Sequence, residues 1–437
     1  MNDLRPMLDG IQRQVHARPG SLDRIFERQR RRRARRRVAA GMMTLATAAA
    51  SVLAVVLVLP HGERSILPIS PAIDATNAGR LAVAWSERVE GTGASAPVVA
   101  DGVLYVAGSD GKLHAIDAAT GDVLWIGVTQ LGTPTSPVVA QGRVFVHVGG
   151  SLYAFEEGCG TGGAECQPSW HATTGGGNIG TPIVVDGVVY VVAAPGGLSA
   201  FSVSCEATTT CAPLWLAPDA EGHVAHAPAA SEGVIWDSSS HALSAFSEAC
   251  GTAGATCEPL IQAVRPDGAD LLSGPAVADG AVYVGASDGS LYAVSTSCAS
   301  GGSCRPLWRG QTGGSIVGTP SVVGGRVYVA SNDGGLYVFP TSCGTSGAGC
   351  DAIWIGRTGG PIRDQPVVSN GVVYVASTDG TLYGFAEACG TTDDCRPTFQ
   401  LSLGDLPTRP AVWADRVVFT MSSDATLSAY TIDGEGP

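Results

Sequence analysis

The chain has 437 residues, and its composition and charge exclude several classes of protein. Fifty-nine glycines and 26 prolines indicate short strands and frequent turns, which excludes a protein built mainly from long helices. Residues 1–60 have 12 arginines, no lysine and 4 acidic residues, a net charge of +8, whereas the remainder has 14 basic and 35 acidic residues, a net charge of −21. A body this acidic repels phosphate backbones, so we expect no nucleic-acid partner.

The first feature in chain order is an uncharged segment of 22 residues, 38–59, which as a helix would span about 33 Å and cross a bilayer. Seven arginines between Arg30 and Arg37 precede it, so the positive-inside rule predicts a cytoplasmic tail at 1–37 and export of the C-terminal part. A cleaved signal peptide is the alternative, but its polar lead would be long and no A-x-A site follows. We expect an uncleaved single-pass signal anchor in the plasma membrane and a linker at 60–78.

A repeated unit follows the linker. Each unit has a proline before short aliphatic residues, a strand with an aromatic or bulky aliphatic residue, a turn such as SDG, a strand marked by leucine, and a final large residue. Each of these marker residues occurs eight times, at intervals of 39 to 48 residues. The prolines are Pro97, Pro137, Pro182, Pro228, Pro275, Pro320, Pro366 and Pro410, and the final large residues are Trp85, Trp125, Trp170, Trp215, Ile261, Trp308, Trp354 and Phe399. This period with four strands per unit is typical of a β-propeller.

The two ends of the repeat region predict how the ring closes. Trp85 precedes the first proline, and the last unit ends before it reaches a large residue of its own. The segment 81–85 can therefore supply the fourth strand of the last unit. We predict an all-β fold, an eight-bladed β-propeller of four-stranded antiparallel blades at 79–433, closed by an N-terminal strand and followed by a short tail at 434–437.

All 12 cysteines lie in the exported part, and they form six pairs separated by five or six intervening residues. Each pair falls between the leucine-marked strand and the last strand of blades two to seven. The pairs are Cys159 with Cys166, Cys205 with Cys211, Cys250 with Cys257, Cys298 with Cys304, Cys343 with Cys350, and Cys389 with Cys395. We expect each pair to form a local disulfide in an oxidising compartment; zinc is the alternative, but thiolates from separate blades would not readily converge.

One unit contains the motif AIDAATGDVLW, with Ala115, Asp117, Thr120, Gly121 and Trp125 at its fixed positions. This motif resembles the repeat of the pyrroloquinoline-quinone-type propellers, a family that includes quinoprotein dehydrogenases and the outer-membrane assembly lipoprotein of the BamB type. The resemblance implies a bacterial envelope protein and covers the whole propeller as a repeat pattern. Outer-membrane assembly itself is not expected here, because the chain has no lipobox cysteine.

The resemblance also implies what a quinone enzyme would need: two adjacent cysteines, a tryptophan platform, and Glu, Asn and Asp around calcium. No two cysteines are adjacent, so we expect no quinone cofactor and no catalytic residue. The Asp-Gly turns are more typical of tight hairpins than of calcium loops. His223 and His226 lack an evident third partner for a metal site, and no Ser-His-Asp arrangement is evident. The tryptophans are expected to pack between blades.

The loops that join one blade to the next contain a possible binding face. Its candidate residues are Asn178, His226, Arg363, Asp364, Gln365 and Arg409. They are either solvated loop residues or a surface that recognises a protein, peptide or glycan. We expect a non-catalytic, membrane-anchored binding or scaffold module. Two alternatives stay open: a quinone- or metal-dependent oxidoreductase with a divergent site, and a ligand sensor that signals through its anchor.

Overall fold

The computed structural model describes residues 71–89, 95–176, 178–195, 197–205, 210–218, 226–240, 242–251, 254–264, 269–300, 304–343, 348–390, 395–404, 410–413 and 415–435. The predicted tail at 1–37 and the predicted anchor at 38–59 lie outside these residues. No helix in the described ranges is long and apolar enough to span a bilayer. The helical segments described are two 3₁₀ turns, Ala78–Arg80 and Thr296–Ser300.

The described residues form eight sheets, and the main strands of each sheet pair antiparallel and make one blade of a propeller, as the sequence predicts. Strands are numbered in chain order, and β1 (Leu81–Arg88) comes first. Blade 1 contains β2 (Val98–Ala100), β3 (Val103–Ala107), β4 (Lys112–Asp117) and β5 (Val123–Val128). Blade 2 contains β6 (Val138–Ala140), β7 (Arg143–Val148), β8 (Ser151–Glu156) and β10 (Trp170–Thr173). Blade 3 contains β11 (Asn178–Ile179), β12 (Ile183–Val185), β13 (Val188–Ala194), β14 (Gly197–Ser202) and β15 (Trp215–Ala217).

The remaining blades repeat the pattern. Blade 4 contains β16 (Ala229–Ser231), β17 (Val234–Ser238), β18 (Ala242–Ser247) and β20 (Ile261–Val264). Blade 5 contains β21 (Ala276–Ala278), β22 (Ala281–Gly285), β23 (Ser290–Ser295) and β24 (Pro306–Gln311). Blade 6 contains β25 (Ser321–Val323), β26 (Arg326–Ala330), β27 (Gly335–Pro340) and β29 (Trp354–Arg357). Blade 7 contains β30 (Val367–Ser369), β31 (Val372–Ser377), β32 (Thr381–Ala386) and β33 (Phe399–Ser402), and blade 8 contains β34 (Ala411–Trp413), β35 (Val417–Met421) and β36 (Thr426–Ile432).

The prediction of ring closure by the N-terminal strand is confirmed. Strand β1 pairs antiparallel with β36, with Leu81 opposite Ile432 and Arg88 opposite Thr426. Blade 8 thus gains its fourth strand from the start of the repeat region. The first strands of neighbouring blades contact one another, as β2 does with β34 and β21 does with β25, so these strands surround the axis and the last strands lie outermost.

The hydrophobic core is divided among the seams between blades. Eight buried clusters occur in the described residues, and each joins two adjacent blades. A tryptophan from the outermost strand lies in most of these seams, as predicted from the sequence. Trp125 is 1% exposed, its ring centroid lies 6.0 Å from that of Phe155 in the next blade, and its Nε1–H donates to the Glu157 carbonyl at 2.9 Å. The seam between blades 1 and 2 is therefore stabilised by both buried apolar area and a hydrogen bond.

The turns define two faces of the ring. The cystine face has the turns between the first two strands of each blade and the cysteine loops between the last two. Its turn at Asp101 and Gly102 has φ of 46° and 79°, as a two-residue type I′ hairpin requires. The connection face has the turns between the second and third strands and the connections that lead to the next blade. Antiparallel pairing puts these two sets of turns at opposite ends of the strands.

The six predicted local pairs are the six disulfides of the structure, with Cα atoms 5.1 to 6.1 Å apart. The cysteine loops also contact the preceding blade, which the sequence did not predict. Three of them contain short strands, β9 (Ala164–Cys166), β19 (Ala255–Thr256) and β28 (Ala348–Cys350), which pair in parallel with β5, β15 and β24 respectively. In two others the amide of Cys211 donates to His171 O at 2.7 Å and that of Cys395 to Ile355 O at 2.8 Å. These loops cover the outer edge of the neighbouring sheet, which would otherwise present unpaired backbone groups.

Candidate recognition face

Five of the six predicted binding residues are described, and they lie on the connection face. Arg363 and Asp364 are exposed and Gln365 is half-buried on the connection between blades 6 and 7. Asn178 lies in β11, where its backbone pairs with Ala194, on the connection between blades 2 and 3. His226 belongs to the next connection. Arg409 and His223 lie outside the described residues.

Glycines bring neighbouring connections together around the axis. A Cβ added to Gly180 would lie 2.2 Å from His226 O, and one added to Gly318 would lie 2.7 Å from Asp364 O. Only glycine allows backbones to approach this closely. The predicted residues thus fall into two groups, Asn178 with His226 and Arg363 to Gln365, which lie on connections on different sides of the ring. A single ring formed by all six remains a prediction.

His226 is held in its neutral form. Burial lowers the pKa of its imidazole to about 4, and its Nε2 atom is shielded from solvent with no hydrogen-bond partner among the described residues. A neutral imidazole with a vacant nitrogen can accept or donate one hydrogen bond. Because the Nε2 atom is shielded from solvent, it is not accessible to a partner in this structure.

A second polar feature of this face was not predicted from the sequence. In blade 6 the Tyr337 hydroxyl donates to Asp333 Oδ2 at 2.6 Å and accepts from the Gly313 amide at 3.0 Å. Arg357 completes the group, with its Nη1 3.1 Å from Asp333 Oδ2 and its guanidinium carbon 5.5 Å from the Tyr337 ring centroid. Burial tends to raise the pKa of Asp333, but hydrogen bonds from Tyr337, the Gly335 amide and Arg357 bring the pKa below its usual value.

Blade 7 repeats the core of this arrangement. The Tyr383 hydroxyl donates to Asp379 Oδ2 at 2.7 Å and accepts from the Gly359 amide at 3.0 Å. Burial, and then the hydrogen bond to Asp379, raise the pKa of Tyr383. The signal in the sequence was the Asp-Gly turn followed by Leu-Tyr, in which tyrosine comes directly after the marker leucine. Tyrosine and aspartate here lock each connection onto the next blade.

Exposed apolar side chains accompany these polar groups. Leu131, on the connection between blades 1 and 2, is 76% exposed, and Val317, between blades 5 and 6, is 38% exposed. Apolar side chains that are exposed on a loop can enter the core of a protein–protein interface, which is more apolar than the rest of the surface. The sequence analysis missed both residues because a single apolar residue in a loop has no periodic pattern.

The residues that are present do not fit a quinone cofactor. Every cysteine is bonded to a partner six or seven positions away on the cystine face, so no adjacent pair can form. The indoles of Trp170, Trp215 and Trp354 are each 1% exposed between blades, and cannot serve as a platform for a flat ligand. The turn aspartates bind backbone instead, as Asp288 Oδ1 does with the Ser290 amide at 2.9 Å. Within the ranges that the structure describes, no group of three or more His, Cys, Asp or Glu could hold a metal ion.

Fold and repeat pattern together define a β-propeller of the quinoprotein type. The family model described as outer membrane protein assembly factor BamB matches residues 70–253 and 220–435, which is most of the chain. The protein belongs to this family.

Individual relatives match shorter parts. BamB from Yersinia pestis is 34% identical over 152 residues, 30% of this chain and 36% of the relative. Quinohemoprotein alcohol dehydrogenase from Comamonas testosteroni is 47% identical over 55 residues, 12% of this chain and 8% of the relative. The matched region therefore spans about a third of the first relative and under a tenth of the second.

Solved structures share the fold at low sequence identity. BamB from Moraxella catarrhalis has a TM-score of 0.61 and 14% identity, with 80% of this chain and 97% of that chain covered. The C. testosteroni dehydrogenase has a TM-score of 0.62 and 14% identity over 84% of this chain and 78% of that chain. The computationally designed protein Ika8 has a TM-score of 0.62, also at 14% identity, over 79% of this chain and 98% of that chain. BamB, an alcohol dehydrogenase and a designed protein are thus similar to this chain in fold, so the fold alone does not select a function.

Proposed function

We propose that this protein is a non-catalytic binding or scaffold module of the bacterial cell envelope, whose connection face recognises a protein partner. The observation that supports it best is the composition of that face, where exposed Leu131 and Val317 lie on the same side of the ring as exposed Arg363 and Asp364. Exposed apolar and charged side chains on one face suit a protein partner, because protein interfaces combine an apolar core with a polar rim. Membership of the family described as outer membrane protein assembly factor BamB supports a role in assembly.

The location is part of the proposal. Segment 38–59 would anchor the chain in the plasma membrane, with residues 1–37 in the cytoplasm and the propeller outside. The six disulfides support this, because such bonds persist in oxidising compartments. The partner would then be another envelope protein that approaches the connection face.

Site-specific photo-crosslinking in intact cells tests the face directly. A photoreactive amino acid at Leu131 or Arg363 should capture one discrete protein. The same residue at Thr161, an exposed position in a cysteine loop on the cystine face, is the matched control and should not capture it. Equal capture from both faces, or none from Leu131 and Arg363 in exported protein, would contradict the proposal.

An oxidoreductase is the second candidate, and the local 47% identity to the dehydrogenase is the observation in its favour. Its test is dye reduction with alcohol substrates after purified protein is incubated with quinone and calcium. Turnover above that of a protein-free control would replace the scaffold proposal with this one.

A further inference from the structure

Blade 8 contains a cavity at the position that a tyrosine occupies in blades 6 and 7. The cavity has a volume of about 290 Å³ and is lined by Leu403 and Gly404 of blade 7 and by residues of blade 8. The blade 8 residues are Thr420, Ser422, Asp424, Thr426, Ser428 and Tyr430. Its size lies at the lower end of small-ligand sites, which begin near roughly 300 Å³.

The register of the strands shows which residue is replaced. In blade 7 the marker leucine is Leu382 and Tyr383 follows it; in blade 8 the marker is Leu427 and Ser428 follows it. Ser428 pairs with Ser86 in the outermost strand, as Tyr337 pairs with Ile355 in blade 6. Serine has no ring, so the space of one phenol side chain is left between blades 7 and 8.

The surroundings of the missing tyrosine are retained. Asp424 occupies the turn position of Asp379, and its Oδ1 accepts the Thr426 amide at 3.1 Å, as Asp379 Oδ1 accepts the Thr381 amide at 2.9 Å. Arg88 lies opposite Thr426, the ladder position that Arg357 has opposite Gly335. Hydrogen bonds from the Ser422 hydroxyl and the Thr426 amide, with a smaller effect of Arg88, hold the pKa of Asp424 below its usual value, so the carboxylate is an acceptor at neutral pH.

The remaining walls would suit an aromatic ring. Tyr383 stacks on Phe385 with ring centroids 6.3 Å apart, and Tyr430 lines the cavity at the position of Phe385. A Cβ added to Gly359 would lie 2.4 Å from Asp379 Oδ2, whereas one added to Gly404 would meet no described residue within 4 Å. Gly404 itself has a φ of +83°, unlike its counterpart. Among the described residues this wall is open, and Asp424, which lines the cavity, is exposed, so the cavity can be reached from the connection face.

We propose that this cavity, the vacant tyrosine site, binds a phenol group, and that its ligand is a tyrosine side chain of the partner polypeptide. The ring would stack on Tyr430 and the hydroxyl would donate to Asp424, as Tyr383 does within the chain. The inference that the phenol belongs to a partner polypeptide rests on the proposed function. The inference that the cavity binds a phenol group does not.

The first experiment uses p-cresol, which is the tyrosine side chain alone, and toluene, which lacks the hydroxyl. We expect p-cresol to raise the melting temperature of the full chain and to give nuclear Overhauser contacts with the Leu403 methyl groups. Toluene should bind about tenfold more weakly, since it cannot donate to Asp424. Equal binding of both compounds, or no contact of p-cresol with Leu403, would overturn the inference.

Two variants test the site from opposite directions. Ser428→Tyr supplies the phenol from within the chain and should abolish p-cresol binding, whereas Ser428→Ala, the matched control, should retain it. Tyr383→Ser empties the equivalent site in blade 7 and should bind a second p-cresol. If Tyr383→Ser binds p-cresol at blade 7 while the unmodified chain binds none, blade 8 is not a phenol site and the inference is wrong.

The link to the partner is tested with the same variant. Ser428→Tyr should reduce crosslinking from Arg363 in cells, and Ser428→Ala should not. If p-cresol binding is lost but crosslinking is unchanged, the polypeptide part of the inference is wrong. If p-cresol binds and no partner is captured at all, the proposed function fails, while the phenol site stands.

Discussion

The seams between blades are of two kinds. Six seams, from that between blades 1 and 2 to that between blades 6 and 7, have a disulfide loop associated with them, and the two seams that flank blade 8 have none. We call a seam with a disulfide loop a bridged seam, although the disulfide itself lies within one blade. At a bridged seam Trp125 is 1% exposed, whereas Trp85, its counterpart between blades 8 and 1, is only half-buried. Blade 8 is the blade in which the two ends of the ring meet.

Non-covalent contacts replace the cystine loops around blade 8. Trp85 Nε1–H donates to Ala118 O at 3.2 Å, and Asn370 Nδ2 donates to Ile73 O at 2.8 Å. A disulfide keeps each cysteine loop closed, which lowers the entropy cost of the hydrogen bonds that the loop makes to the preceding blade. The contacts around blade 8 have no such constraint and should break more readily. Any opening of the ring should therefore begin at blade 8, where the vacant tyrosine site also lies.

The largest expected effect comes from reducing the six disulfides, which belong to the bridged seams alone. Each closed loop stabilises the fold by roughly 2 kcal/mol through the unfolded state, so reduction of all six should lower the free energy of unfolding by about 12 kcal/mol. Urea denaturation with and without reductant measures the change, and alkylation with mass spectrometry verifies twelve free thiols. An unchanged midpoint with all thiols free would show that the loops do not stabilise the bridged seams.

Substitution of the seam tryptophans gives the next largest effect. Trp354→Ala empties a buried position at a bridged seam and should cost about 3–5 kcal/mol of unfolding free energy. Trp85→Ala should cost less, because Trp85 is half-buried, but should speed amide exchange in β1 and β36 specifically. Urea denaturation and hydrogen exchange measure the two responses, with Trp85→Phe as the control that retains an aromatic contact. Uniform exchange around the ring in both variants would remove the distinction between the seams.

The smallest effect is a pH dependence inside the bridged region. His147 lies in blade 2 with no exposed surface, and its Nε2 is 2.7 Å from Thr174 Oγ1. Burial lowers the pKa of His147 to about 4. The unfolded chain therefore binds a proton that the folded chain does not, and the free energy of unfolding should fall as the pH is lowered from about 6.5 to about 4, by at most on the order of 3 kcal/mol.

His147→Asn should remove part of this slope in pH-dependent urea denaturation, and His226, whose pKa is also lowered to about 4, should account for a further part. His171→Asn is the matched control, because the ring of His171 is only half-buried. It stacks on Tyr153, with ring centroids 6.0 Å apart. A slope that is the same in His147→Asn and in the unmodified chain would contradict the assignment.

Much of the ring could be predicted because its signals repeat eight times. The marker leucines, such as Leu336 and Leu382, are fully buried, and one mark of this kind per 45 or so residues predicts one blade each. Closure followed from Trp85, which precedes the unit it completes. The local cysteine pairs followed from strand pairing, which brings both ends of each loop together.

The candidate site was only partly predictable. Arg363 and Asp364 could be assigned to the connection face from their place in the repeat, but exposure and partners depend on the neighbouring blade. The contact of Gly180 with His226 O joins residues 46 positions apart, and no local pattern indicates it.

The sequence by itself therefore determined the number of blades, their closure and the disulfide partners, because each depends on periodicity or on groups close together in the chain. Only the tertiary structure decided that the cysteine loops pair with the preceding blade, that Tyr383 binds Asp379, and that Ser428 leaves a cavity. Those features lie at seams, where strands about 45 residues apart in the chain meet. A small side chain leaves a cavity only if the residues of both neighbouring blades enclose the space.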